Sequence, residues 1–288
     1  MKKLIAVLLT LIMVMGLVAC GETKPADTTA APADTTAAPE ENTAAPADTT
    51  AAAVDATEGA DAAFTTITEG KLTMSTNAAF PPYEMLTEDG TGFEGIDVEI
   101  ATAIAQKLGL ELEILDMDFD AALLAVNQGK ADIVMSGVTI NEERKIVMEF
   151  TESYTTAKQV IIVKEGSDVS IDNLGEKQIG TQRGTTGYIY SSDDYGEDHV
   201  VAYDTGMTAV QALLNGQVDC VIIDSAPAEE FAKTNPGLTI LETEYAVESY
   251  GIGCDKGNTA LVAAINEALT EMLNDGTVQA IIDKYIAA

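Results

Sequence analysis

Apolar positions fall into three regimes along the chain. Leu4 to Ala19 is an uncharged, mostly apolar run of 16 residues. From Gly21 to Ala63 the only large apolar residue is Val54. Beyond 64, strand and helix signals alternate. Lys71–Thr76 predicts a strand. Asp97 is placed to cap a helix whose apolar positions Ile100, Ala103, Ile104 and Leu108 keep helical spacing, with Gly109 as the stop. Leu110, Leu112 and Ile114 alternate as a half-buried strand. Asp118 then caps a second predicted helix running through Val126, and Asn127-Gln128-Gly129 turns the chain into an apolar strand, Ala131–Met135. Strands alternating with helices in this order predict an α/β sheet with many parallel strands.

The construction recurs. Met207–Leu214 predicts a helix, Asn215-Gly216-Gln217 a turn, and Val218–Ile223 an apolar strand. With Gly129 set on Gly216, Asp132 falls on Asp219. Polar residues then emerge just past both strands: Ser136 with Gly137 in one copy, Asp224 in the other. Ligands of open α/β sheets bind at the carboxyl ends of strands. Two such units therefore imply either a cleft between two lobes or a common helix–turn–strand unit with no shared role.

The apolar run near the N-terminus is shorter than the ~20 residues that span a bilayer. Lys2 and Lys3 precede it, and it ends in Leu17-Val18-Ala19-Cys20 followed by Gly21. This resembles a bacterial lipoprotein signal, 1–20, in which Cys20 is lipidated and becomes the mature N-terminus. Residues 21–63 repeat Pro-Ala-Asp-Thr-Thr-Ala-Ala nearly verbatim and cannot bury enough surface to offset the entropy of ordering. They read as a disordered tether spanning roughly 35–40 Å on average, with a threonine density that permits O-glycosylation.

Charge is lopsided, with 47 acidic against 15 basic side chains and a net of −32. Such a surface repels nucleic acid, which is excluded as a partner. Three cysteines, one of them in the processing signal, do not make a disulfide scaffold. Cys220 and Cys254 sit in apolar strands and read as buried thiols, with a disulfide between them left open. No cluster has metal-ligand spacing, so neither metal nor cofactor is expected.

Four segments could hold a ligand. Asn77-Ala78-Ala79-Phe80-Pro81-Pro82-Tyr83-Glu84 follows the first strand, and its prolines argue against sheet. A stiff loop there either lines a pocket with Asn77, Phe80 and Tyr83 or packs its aromatics on the core. Ser136–Arg144 runs from a strand end to a helix start. Arg144 offers a planar fork for a carboxylate, with Ser136 and Thr139 as hydroxyl donors; the alternative is a surface arginine paired with Glu142 or Glu143. Arginine occurs only at 144 and 183, which favours a dedicated use. Arg183-Gly184-Thr185-Thr186-Gly187-Tyr188 follows a strand predicted over Gln178–Thr181 and places two threonines at a helix N-terminus. Asp224 ends an apolar strand, where a buried charge needs a positive partner from the ligand or from the protein.

Those residues, together with Gly92–Asp97, Asp118-Phe119-Asp120, Gly129–Asp132, Tyr250-Gly251-Ile252-Gly253 and Leu273–Thr277, resemble the polar amino-acid binding proteins of bacterial ABC importers, the family 3 solute-binding proteins. The likeness runs from Gly70 to the C-terminus. It implies a two-lobed, periplasmic-binding-protein-like fold of type II, two α/β lobes joined by a two-crossing hinge near Thr156–Val160 and Val247–Gly251. Lobe 1 would be 64–157 and 249–288, and lobe 2 would be 158–248. By the same resemblance, Arg144 clamps the ligand α-carboxylate, Ser136, Gly137 and Thr139 add contacts from lobe 1, and Thr186 with Thr185 from lobe 2. Asp224 accepts the α-ammonium, Phe80 and Phe119 wall the side chain, and Asn77 faces it. The implied protein is a monomer, tethered through Cys20 to the extracytoplasmic face of the cell membrane, that passes an amino acid to the transmembrane subunits of an ABC permease. The long tether fits a Gram-positive-like surface.

Two points bear on specificity. Members that bind cationic amino acids often carry aspartate where Asn77 stands, so a polar, uncharged side chain is preferred. Arg183 either meets the ligand side chain or points at solvent. An extracytoplasmic dehydratase and a sensor module for a membrane receptor are the competing functions. The single histidine, His199, lies in what reads as an exposed acidic loop, a poor place for a catalytic base.

Overall fold

The computed structural model describes residues 64–242 and 244–286; the expected signal segment, Cys20 and the tether lie outside them. In chain order come β1 (Lys71–Thr76), β2 (Ala79–Phe80), β3 (Glu84–Leu86), β4 (Phe93–Glu94), α1 (Ile96–Lys107), β5 (Glu111–Asp116), α2 (Phe119–Asn127), β6 (Ile133–Val134), α3 (Glu142–Val147), β7 (Met148–Phe150) and β8 (Thr155–Lys164). There follow β9 (Ile179–Gln182), α4 (Thr186–Tyr195), β10 (Val200–Tyr203), α5 (Gly206–Leu214), β11 (Cys220–Asp224), α6 (Ser225–Thr234), β12 (Leu238–Ile240), β13 (Ala246–Tyr250), β14 (Gly253–Asp255), α7 (Thr259–Asn274) and α8 (Thr277–Tyr285).

Two main sheets organise these elements into two lobes. One has the order β5-β1-β6-β14-β7, with β1 parallel to both β5 and β6. The other has the order β10-β9-β11-β8-β12, in which β9, β10 and β11 are parallel and β8 is antiparallel. A small third sheet joins β2, β3 and β4. Strand β13 pairs antiparallel with the first half of β8, Ala246 opposite Gln159 and Tyr250 opposite Thr155. That pair is where the chain passes between the regions of the two sheets. Among the described residues no helix is long and apolar enough to cross a membrane.

The helical stripe of α1 explains its docking: Ile100 and Ile104 are fully buried together with Leu72 and Met74 of β1. Burying each such side chain contributes about 1.5–3 kcal/mol. In the second lobe Val210 and Leu213 of α5 and Phe231 of α6 do the same against Val221 and Ile223. The internal repeat is real at atomic level. Asp132 accepts the amide of Thr73 at 2.8 Å, and Asp219 accepts that of Gln178 at 2.8 Å. Each aspartate precedes its strand and pins a backbone amide at or just before the parallel neighbour.

Local expectations shift in several places. Asp97 does not cap α1; Gly95 holds that position, and Asp97 sits inside the first turn, fully buried. Asp118 occupies the cap position of α2 without a side-chain cap bond. The strand predicted over Ala131–Met135 keeps ladder pairing only at Ile133–Val134, and the one predicted over Val218–Ile223 starts and ends later. The proline loop is not free of sheet: β2 and β3 flank Pro81 and Pro82 in a short hairpin. The acidic stretch before His199 is not a loop either. Its first half ends α4, and the rest is a 3-10 turn, Glu197–His199.

Candidate functional site

Four parallel-strand ends converge on one cavity of about 300 Å³. Asn77 follows β1, Ser136 and Gly137 follow β6, Gln182 ends β9 and Asp224 ends β11. The ten residues that the family resemblance assigns to the ligand line it: Asn77, Phe80, Phe119, Ser136, Gly137, Thr139, Arg144, Thr185, Thr186 and Asp224; Tyr83 does not, and packs its ring on Phe80 and Tyr250 in the core instead. Gln182 lines the cavity as well and escaped the sequence reading, because the strand was expected to stop one residue earlier.

Arg144 lies in the first turn of α3, positioned by Asn141, whose side chain accepts the Arg144 amide at 2.8 Å. Its guanidinium is buried, donates to Thr139 O at 2.9 Å and stands 5.5 Å from the Phe119 ring centroid, an arrangement that combines a fork of donors with a cation–π contact. It also donates to Gly184 O at 3.2 Å, from the opposite side of the cleft. Neither Glu142 nor Glu143 neutralises it; Glu142 pairs with Lys145 at 2.9 Å. Among the described residues no carboxylate forms a salt bridge with Arg144, and burial pulls its pKa below the usual guanidinium value. Glu248 and Asp224 act on it from further away, and a buried cation with no anion in salt-bridge contact can receive one.

Asp224 provides the complementary charge. It is buried, accepts the hydroxyl proton of Tyr250, and is held up to about 7 by desolvation and by the nearby Glu248 carboxylate. Glu248, on β13, accepts from Gln159 Nε2 at 2.9 Å and from Thr139 Oγ1 at 3.2 Å. Asp224 is the one acid among the cavity-lining residues, and with Glu248 close behind it the site is receptive to a cationic group.

At the other end, Asn77 and Gln182 meet across the cleft. Gln182 Nε2 donates to Asn77 Oδ1 at 3.0 Å, and Asn77 Nδ2 donates to Met117 O at 2.9 Å. Gln182 Oε1 is buried with no donor among the described residues. Phe80 packs over Gly137, whose φ of +54° and whose contact with the ring leave no room for a side chain: a Cβ there would meet Phe80 at 2.8 Å. Several hydroxyls expected to face a ligand are committed within the protein. Ser136 donates to Glu84 at 2.6 Å, Thr139 to Glu248, and Thr185 to Gln182 O at 2.7 Å while capping α4. Thr186, in the first turn of α4, is the buried threonine of that pair.

Other candidates fall outside. Arg183 is half-exposed and turns to Asp204 at 3.6 Å and Ala202 O. His199 contacts Lys177 O at 3.2 Å, away from the cavity lining. Cys220 and Cys254 are free, buried and on different sheets, their thiols pushed up to about 12 by burial. Glu248 and Tyr250 were missed as charge partners of the site, since nothing in a strand reading marks which face turns toward a neighbouring lobe.

A cleft between two α/β lobes, with unpaired charges of both signs inside it, defines a soluble-ligand receptor. Residues 72–288 match the model of the bacterial extracellular solute-binding proteins, family 3, and the chain belongs to that family. It therefore works outside the cytoplasm. Among its relatives, a probable histidine-binding protein of Neisseria gonorrhoeae is 34% identical over 238 residues, covering 80% of this chain and 88% of the relative. The L-cystine-binding protein of Escherichia coli (strain K12) is 32% identical over 225 residues, covering 76% and 84%. Among solved structures, a mutant of ArgBP from T. maritima has a TM-score of 0.72 at 38% identity, covering 76% of this chain and 96% of that one. An ancestral arginine-binding protein bound to glutamine also reaches 0.72, at 39% identity, covering 77% and 100%.

Proposed function

We propose that this protein captures a free α-amino acid between its lobes and delivers it to the transmembrane subunits of an ABC importer. The relatives named as histidine-, cystine- and arginine-binding proteins support the ligand class. The observation that carries the reading is the presence of opposite charges on one cavity: among the described residues Arg144 has no salt-bridged carboxylate, and Asp224, beside Glu248, no salt-bridged cation. A zwitterion answers both. Its carboxylate takes the Arg144 fork with the backbone amides at the start of α4, and its ammonium takes Asp224. Charge-assisted bonds of about 1.5–3 kcal/mol each are enough for roughly −8 kcal/mol, micromolar binding.

The side-chain end is lined by the amides of Asn77 and Gln182 and by Phe80 and Phe119, with no acidic residue among the lining groups there. A guanidinium or ammonium would be buried there without a carboxylate to pair with. The unpaired Gln182 Oε1 calls for an N–H donor on the ligand side chain, and with no acidic lining residue there a polar, uncharged ligand such as glutamine is preferred.

Residues 64–157 with 249–288 form lobe 1 and 158–248 form lobe 2 in this reading, with β8 and β13 as the hinge crossings. Contacts of Arg144 with Gly184 and of Asn77 with Gln182 span the two, so ligand and closure favour each other. The receptor is a monomer that binds without turnover. Cys20 carries the lipid that anchors it to the outer face of the cell membrane, and residues 21–63 give it reach across a cell wall. Calorimetric titration of residues 64–288 with the twenty amino acids tests the ligand class. Binding of none of them, or equal binding of simple carboxylic acids, would reject it.

A further inference from the structure

Behind the cavity wall lie two acids that ligand capture does not use. Glu84 from β3 and Asp97 from the first turn of α1 are both fully buried. Each holds one of two consecutive cavity residues. Ser136 Oγ donates to Glu84 Oε1 at 2.6 Å and accepts from the Asn77 backbone N–H at 3.0 Å. The Gly137 amide donates to Asp97 Oδ2 at 2.8 Å, an oxygen that also accepts from Tyr154 OH at 3.0 Å. The remaining oxygens, Glu84 Oε2 and Asp97 Oδ1, have no donor among the described residues. The two carboxyls hold consecutive residues, Ser136 and Gly137, so they are close neighbours, and each shifts the other's titration.

Two ionised carboxylates side by side, buried and without a salt-bridged cation, are strongly disfavoured. One proton between them gives both orphan oxygens a partner and removes one charge. The asymmetry of the surroundings locates it. Asp97 accepts two donors and sits at the N-terminal end of a 12-residue helix, which stabilises an anion there. Glu84 accepts only the serine hydroxyl. We propose that Glu84 carries one proton at neutral pH, donates it to Asp97, and with Asp97 forms a positioning pair that fixes Ser136 and Gly137 at the cavity wall.

The titratable groups facing the pair agree. Tyr83 beside β3 and Tyr154 before β8 are both pushed up by burial and remain neutral. Asp224 on β11 adds negative charge that further disfavours a second anion on Glu84. Burial lifts Glu84 well above the carboxylate range and Asp97 up to about 7. An acid whose folded pKa exceeds its unfolded value costs stability as pH rises from about 4 through the raised value. The pair therefore makes the fold less stable in mild alkali.

The positioning half rests on reading the cavity as the ligand site; the shared proton does not. Glu84→Gln keeps the acceptor for Ser136 and supplies a permanent N–H donor for Asp97. In that variant the loss of unfolding stability between pH 5 and pH 8.5 should shrink relative to wild type, the Asp224 contribution being common to both. The infrared band of a protonated carboxyl, present in the wild-type protein at pH 8, should disappear. Affinity for the bound amino acid should stay within about threefold, whereas Glu84→Ala, which leaves Ser136 unpartnered, should lose about tenfold or more. An unchanged pH slope with no band lost would overturn the shared proton. Full affinity in Glu84→Ala would overturn the positioning role alone. If no amino acid binds, the functional reading fails while the infrared and stability arms still decide the proton.

Discussion

The Arg144 guanidinium donates to the Gly184 carbonyl at 3.2 Å, reaching from the helix that follows β6 to the loop that follows β9. One side chain thus serves both the cavity and the contact across the cleft. Arg144→Ala should leave the thermal transition of the ligand-free protein within a few degrees. It should weaken amino-acid binding by at least 100-fold, since a bidentate charge-assisted contact is removed. Arg144→Lys should recover little of this, because an ammonium cannot reproduce the planar fork. Titration calorimetry of the three proteins decides it; near wild-type affinity in the alanine variant would remove the carboxylate clamp.

Asp224 offers a pH-dependent counterpart. Burial and Glu248 hold it up to about 7 when no ligand is bound. Ionisation is needed to receive an ammonium, so affinity should rise between pH 5.5 and pH 8, and binding should release protons near neutrality. The stability of the ligand-free protein runs the other way. A raised folded pKa means the folded state keeps the proton longer than the unfolded chain, so this contribution is lost as pH climbs from about 4 through 7. Asp224→Asn should flatten both profiles and lower affinity by about 10- to 100-fold, measured by calorimetry in two buffers of different ionisation enthalpy.

The amide pair Asn77–Gln182 sets a prediction about selectivity. Gln182→Glu places an anion beside the ligand side chain in a site with no compensating cation. Affinity for arginine or lysine should rise relative to glutamine by about tenfold. A thermal-shift series on the variant and the wild type reads the ratio; an unchanged order of ligands would place the side chain elsewhere.

Gly137→Ala should be costly through geometry alone. A methyl group would meet the Phe80 ring at 2.8 Å, on backbone with φ of +54°. A loss of about 1–3 kcal/mol in stability is expected from chemical denaturation. Ligand affinity should fall with it, because Phe80 and the Gly137 amide both move.

Cys20→Ser should abolish metabolic labelling by a fatty acid and shift the protein from the membrane fraction to the culture fluid. Retention of the label in this variant would rule out Cys20 as the lipidation site.

Much of this architecture was legible in one dimension because burial imposes periodicity. The helical stripe Ile100–Ile104 and the apolar strands before Ser136 and Asp224 could be read residue by residue, and their order implied two α/β units. The scarcity of arginine made Arg144 conspicuous, and the position of Asp224 after a fully apolar strand marked it as a buried charge. Strand ends were misjudged by a residue or two, enough to hide Gln182, since the ladder at each end depends on a neighbour distant in sequence.

What tertiary structure alone decided is which polar groups are spent on the protein and which are left over. Asp97 looked like a helix cap, yet it lies buried against Glu84 and holds the Gly137 amide 40 residues away. Ser136 and Thr139 looked like free donors and are bonded to Glu84 and Glu248. Composition and spacing state which residues are polar, but satisfaction of a buried group depends on partners brought in by the fold. Only packing two sheets against a common cleft leaves Arg144 without a salt-bridge partner while giving Glu84 and Asp97 neutral donors alone, too few to satisfy every oxygen.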